Sequence, residues 1–127
     1  MERAVALLCR SLPVTKIIAV TISGFAARML AAHRPKQPIL AVSNSAGAAR
    51  SFNLYSGVEG VYIDIEFTKT SADHIVMCLE ELWRRGKLVD EDMIVVVSVG
   101  YPKSGNRMNS VQTHTVSDLV ETLSWSK

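Results

Sequence analysis

The stretch Lys16-Ile-Ile-Ala-Val-Thr-Ile-Ser-Gly-Phe-Ala-Ala-Arg28 constrains the fold more than any other. An unbroken apolar run passes through Thr21 and Ser23-Gly24 directly into a helical pattern. That is a strand, a tight turn and a helix start in succession. A helix start carries unpaired N–H groups and the positive end of its dipole, both of which attract anions. Gly24 lets a ligand approach the backbone closely, and Thr21 and Ser23 add hydroxyls. Two readings fit this turn: an ordinary capped helix start, or a seat for a phosphate-sized anion.

The rest of the chain repeats the alternation. Residues 2–12 read as a helix with Ala4, Leu7, Leu8 and Leu12 on one stripe, ended by Pro13. After the strand at 16–22, residues 24–33 form a helix with Phe25, Met29 and Ala32 inward, ended by Arg34-Pro35. A strand at 38–43, a short helix at 45–54 and a strand at 58–63 follow. The spacing predicts a long helix over 70–85, with Ile75, Leu79 and Leu82 aligned, Val76 and Trp83 beside them, and Gly86 as the C-cap. Residues 92–99 are a continuous apolar strand, and 107–116 alternate as an edge strand. Residues 117–127 are a last helical turn or a tail, so the chain divides into a domain at 1–116 and a C-terminal extension at 117–127.

Strands alternating with helices imply a mostly parallel sheet covered on both faces. The connection from 99 to 107 is too short for a parallel crossover, so the last strand runs antiparallel to its neighbour.

At 127 residues with 48% hydrophobic and 20% charged residues, the chain is one globular domain with a real core. No apolar run approaches membrane-spanning length, and no signal-type cleavage site follows Glu2-Arg3, so a cytoplasmic protein is expected. The net charge of +2, with dispersed basic residues, argues against a nucleic-acid partner. Cys9 and Cys78 lack metal-ligand spacing and read as reduced, buried thiols. His33, His74 and His114 stand far apart and read as surface or half-buried side chains. Asp64-Ile-Glu66 reads as a solvated strand end, Asp90-Glu91-Asp92 as turn chemistry, and Trp83 as core. No catalytic residues and no metal site are expected.

Several ordered motifs extend across the chain. Thr21-Ile-Ser-Gly-Phe-Ala-Ala27 is followed by His33-Arg-Pro-Lys-Gln-Pro-Ile-Leu-Ala-Val42, then Ala48-Ala-Arg50, Leu54-Tyr-Ser-Gly-Val58, and Gly86-Lys-Leu-Val-Asp-Glu-Asp-Met-Ile-Val-Val-Val-Ser98. This series, over about residues 3 to 116, resembles the C-terminal domain of pyruvate kinases. The resemblance implies an α/β fold in three layers. Its five-stranded mixed sheet has order 3-2-1-4-5, an antiparallel last strand and helices on both faces. In such a sheet a ligand crevice lies where the order reverses, at the C-terminal ends of strands 16–22 and 92–99.

In pyruvate kinases that crevice is the allosteric effector site. The resemblance implies an effector phosphate at Thr21, Ser23, Gly24, Phe25, Ala26 and Ala27, with a closing loop that includes Lys103, Ser104, Gly105 and Arg107. Thr21, Ser23 and Gly24 match the motif. Phe25 and Ala26 depart from it, and the missing hydroxyl at Ala26 removes a donor worth about 1 kcal/mol. The segment from Ile65 to His74 is short and lacks the Trp and Arg that grip a second phosphate in bisphosphate-regulated relatives, and Met108-Asn109 stands for a Thr-Asn pair. These departures point to an unregulated or monophosphate-responsive relative.

The family transfers phosphate from phosphoenolpyruvate to ADP in glycolysis, using Mg²⁺ and K⁺ held by a preceding barrel. The barrel's motifs do not occur here, so the chain reads as catalytically silent by itself, as an excised domain or a truncated product. The resemblance implies a regulatory and oligomerisation domain with a homo-oligomeric contact, a phosphorylated small-molecule effector, and no cofactor of its own. A stand-alone module binding a phosphorylated metabolite or nucleotide is the alternative. A small phosphatase lacks an evident nucleophile–base pair.

Overall fold

The computed structural model describes residues 2–20, 25–32, 35–65, 73–100 and 107–126. The elements run α1 (Glu2–Ser11), β1 (Lys16–Val20), α2 (Phe25–Ala32), β2 (Ile39–Ser43), α3 (Ala46–Phe52), β3 (Val58–Tyr62), α4 (Asp73–Arg84), β4 (Met93–Gly100), β5 (Arg107–Thr115) and α5 (Val116–Thr122). The five strands form one sheet in the order β3-β2-β1-β4-β5. β1 pairs in parallel with both β2 and β4, whereas β4 and β5 are antiparallel. The α/β expectation therefore holds in class, order and strand direction.

The central strands are buried on both faces because helices cover both. On one side, Val5 of α1, Ala27 and Leu30 of α2 and Phe52 of α3 pack on Ile17, Ala19, Ile39, Ala41, Val95 and Val97. On the other, Ile75, Cys78, Leu79, Leu82 and Trp83 of α4 pack on Ile18, Val20, Leu40, Val42, Ile94 and Val96. Burying a side chain of this size contributes roughly 1.5–3 kcal/mol, so these two layers are the main source of stability. α3 lies close on β3 because residue 60 is glycine. A methyl group there would overlap the Ala49 carbonyl.

The α1 stripe and single positions in α2 and α4 differ from expectation, while Ile75, Leu79, Leu82 and Trp83 of α4 are buried as expected. α1 turns Val5 inward, with Leu8, Cys9 and Leu12 packed beside it, while Ala4 is exposed and Leu7 is 58% exposed. Positions 5, 8, 9 and 12 follow the i, i+3, i+4, i+7 spacing; the stripe through Ala4 and Leu7 is one residue out of phase. In α2 the buried residues are Ala27 and Leu30, and Ala32 is exposed; the side chains of Phe25 and Met29 lie outside the described set. In α4 the inward stripe takes Cys78 instead of Val76, which is 38% exposed.

His74, in the first turn of α4, is buried and not at the surface. His114 is half-buried on β5, where it contacts Gln112 at 2.9 Å; burial lowers its pKa. His33 lies outside the described residues. Cys78 is buried, and desolvation pushes its thiol up to about 12. Cys9 is only half-buried, and burial raises it too. Asp64 is exposed, and Glu66 lies outside the described residues.

Candidate functional site

The order β3-β2-β1-β4-β5 reverses between β1 and β4, so the chain leaves their C-terminal ends in opposite directions along the sheet. At that end Val20 of β1 lies beside Ser98 of β4. β1 ends at Val20 and α2 opens at Phe25; the four residues between them, 21–24, lie outside the described residues. Thr21, Ser23 and Gly24 therefore cannot be placed. Phe25 and Ala26 form the first turn of α2, and Ala27 is fully buried beneath it. That first turn contains no acidic residue, so no side chain of its own neutralises the positive end of the helix.

The loop expected to close the site is described only at its end. Lys103, Ser104 and Gly105 lie outside the described residues. Arg107 is the first residue of β5 and pairs with Gly100, the last of β4. The β4–β5 register slips between Ser98 and Val99: Ser98 pairs with Ser110, whereas Val99 pairs with Met108. Asn109 is thus an extra residue, a bulge two residues after Arg107. The fold brings Phe25, Ala26, Ala27 and Arg107 to the same end of the sheet.

Two serines that composition did not single out belong to this end. Ser98 is buried at the tip of β4, and Ser43 is fully buried at the tip of β2. Ser43 Oγ accepts from the Ser45 backbone N–H at 3.1 Å, and Ser45 Oγ in turn accepts from Ala48 N–H at 3.3 Å, capping α3. The strand–turn–helix after β2 therefore spends its hydroxyls on its own backbone. A serine interrupting or ending an otherwise apolar strand is the signal that marks both positions.

At the opposite end of the sheet the polar groups are of another kind. Asp92 lies 6% exposed where β4 begins. It accepts from Thr15 Oγ1 at 2.7 Å, from Lys16 Nζ at 2.7 Å and from Val89 N–H at 2.9 Å. Lys16 also donates to the Lys87 carbonyl at 3.0 Å. Burial by itself raises the Asp92 pKa, but the hydrogen bonds from Lys16, Val89 and Thr15, with the Lys16 charge, outweigh it and hold the carboxyl below its ordinary value. Every donor here already has an acceptor, so this is a structural clasp. Among the described residues, no group of three or more His, Cys, Asp or Glu side chains is placed to hold a metal ion, and no helix is long and apolar enough to cross a membrane.

The family model for the pyruvate kinase alpha/beta domain matches residues 2–114. The chain belongs to that family. A pyruvate kinase of Geobacillus stearothermophilus is 32% identical over 113 residues, covering 87% of this chain and 18% of that protein. One of Sporosarcina psychrophila is 29% identical over 111 residues, again 87% of this chain and 18% of the relative. One of Borreliella burgdorferi is 28% identical over 107 residues, 83% of this chain and 22% of the relative. The chain thus spans about a fifth of the length of the curated relatives it matches. The matched residues run from α1 to the penultimate residue of β5 and take in the whole sheet-reversal end just described.

Proposed function

We propose that this chain serves as the regulatory and oligomerisation domain of a pyruvate kinase and binds a phosphorylated small molecule weakly at the start of α2. The parent reaction converts phosphoenolpyruvate and ADP to pyruvate and ATP. The groups for that chemistry belong to a barrel, and this domain is silent in catalysis when alone. The observation that carries the effector reading is the meeting of the α2 first turn with the ends of β1 and β4, where the strand order reverses. Backbone N–H groups at that turn offer an anion donors that do not depend on side-chain identity. The departures at Phe25 and Ala26 limit the affinity to roughly millimolar, about 4 kcal/mol. β5, an edge strand in the sheet order, is the surface on which a second copy would pair.

The test is a titration of the chain with inorganic phosphate and sugar monophosphates, followed by backbone amide shifts. The amides of Ser23, Gly24 and Phe25 are expected to move together. Ser23→Asp places a fixed negative charge where the ligand charge sits; it is expected to abolish those shifts and leave the fold intact, because a carboxylate still caps a helix. Shifts confined to another surface would sink the effector reading. A sedimentation series that shows only monomer at high concentration would count against the oligomerisation role. A coupled assay for pyruvate is expected to show no turnover.

A further inference from the structure

The segment after β5 lies beyond the residues that the family model matches, yet it is built into the described core. Its root is fastened at the Asp90–Asp92 turn: Val116 N–H donates to the Asp92 carbonyl at 2.9 Å and Ser117 N–H to the Asp90 carbonyl at 3.0 Å. Val116 is fully buried, and Leu119 and Val120 pack against the α4 layer. Its far end is fastened by Trp125, only 8% exposed, whose ring lies 5.7 Å from that of Trp83. Trp83 is itself held by a 2.8 Å bond from its Nε1 to the Asp90 carboxylate. Between these anchors Asp118, Glu121, Thr122, Leu123 and Ser124 are exposed.

The end of α5 has the same design as the end of α4, with one difference. At α4, Lys87 N–H donates to the Leu82 carbonyl and Gly86 takes a φ of +78°. At α5, Trp125 N–H donates to the Val120 carbonyl at 3.1 Å, and the left-handed position is held by Ser124 at φ 55°. This is the Schellman arrangement, in which glycine is the usual residue at the left-handed site. A side chain there is strained. The strained residue immediately precedes Trp125 and directs it back onto Trp83. α5 has seven residues and no side-chain hydrogen bond at its Thr115 N-cap, so its helical state depends on tertiary anchors.

We propose that residues 116–125 form a strap that opens and closes as a unit separate from the sheet, rooted at Val116 and Ser117 and latched by Trp125 on Trp83, with the strained Ser124 aiming the latch. In the closed state the strap ties α4 to the start of β4 and the end of β5. In the open state the sheet persists and Trp83 is uncovered. Amide hydrogen exchange of the full chain distinguishes the two units, with Leu123 and residue 125 reporting on the strap and Ile18 and Val96 on the sheet. In the wild-type chain the strap amides are expected to exchange through an opening of lower free energy and smaller urea dependence than the opening that exposes Ile18 and Val96. Trp125→Ala is expected to speed exchange at the strap amides about tenfold or more. Ser124→Gly is expected to slow it by about fivefold. Equal opening free energies and urea dependences for the strap amides and for Ile18 and Val96, or loss of the fold in Trp125→Ala, would overturn the proposal, because the strap would then belong to the global unit. An unchanged Leu123 amide in Trp125→Ala would overturn the latch. An unchanged strap in Ser124→Gly would overturn the part played by the strained Ser124.

Discussion

Where β1 and β4 begin, Asp92 gathers Thr15, Lys16 and the Val89 N–H, and Lys16 reaches on to the Lys87 carbonyl. Where the same two strands finish, Val20 lies beside Ser98 and the first turn of α2 carries no acidic residue. One end is a closed set of charges and hydrogen bonds in which Thr15 and Lys16 meet residues more than 70 positions away. The other has a positive helix end and buried neutral serines, Ser43 and Ser98, in place of charges. A charge already matched inside the protein stabilises the fold and has no capacity for a ligand. A helix start with no acidic residue in its first turn is not neutralised by its own side chains. The contrast separates a clasped end of the sheet from the end proposed to take an anion.

The largest effect is expected at the structural end. Asp92→Ala leaves Lys16, Thr15 and Val89 N–H without their acceptor. It is expected to cost about 3 kcal/mol. Urea unfolding measures this directly, and a loss below about 1 kcal/mol would show that water replaces the carboxylate easily.

The same clasp predicts acid sensitivity. The folded pKa of Asp92 is depressed below its unfolded value, so its contribution is fully present above the unfolded value, near about 4, and fades as pH falls through the folded one. Stability followed by urea midpoint from neutral pH downward is expected to drop in that acid window. Asp92→Asn is expected to show a shallower drop, starting from a lower plateau. Parallel curves for the two proteins would assign the acid limb to other carboxylates.

A smaller change is expected from Ser43→Ala at the opposite end of the sheet. It removes one acceptor for the Ser45 N–H, with a loss of about 1 kcal/mol by urea unfolding. A loss as large as that of Asp92→Ala would erase the contrast between the ends. The smallest effect sharpens the comparison most. Millimolar phosphate is expected to shift amides at the start of α2 and to leave the Val89 and Asp92 amides unmoved. Shifts of equal size at both ends would mean that phosphate acts only as a general electrolyte.

Much of this architecture was legible in the chain. Continuous apolar runs such as Ile94–Val97 are buried on both faces, which matches the parallel interior of a doubly covered sheet. Gly86 after a helical pattern marked the end of α4, and Trp83 at helical spacing proved to be core. The phase of α1 was not legible, because Leu7 and Leu8 are equally apolar and only contact with the sheet selects the stripe through Val5. The turn chemistry of Asp90-Glu91-Asp92 was visible as local spacing. Its partners Thr15, Lys16, Trp83 and Val116 were not, since no local pattern ties them together.

By itself the sequence determined the alternation of strands and helices, the short turn that makes β5 antiparallel, and the polar turn that leads from β1 into α2. These follow from hydrophobic period and backbone chemistry, which act over a few residues. The tertiary structure alone decided that Asp92 is a clasp, that Ser98 and Ser43 come to the same end of the sheet as the start of α2, and that Trp125 returns to Trp83. Each of those outcomes joins residues far apart along the chain, and packing selects among partners that local propensity leaves equivalent.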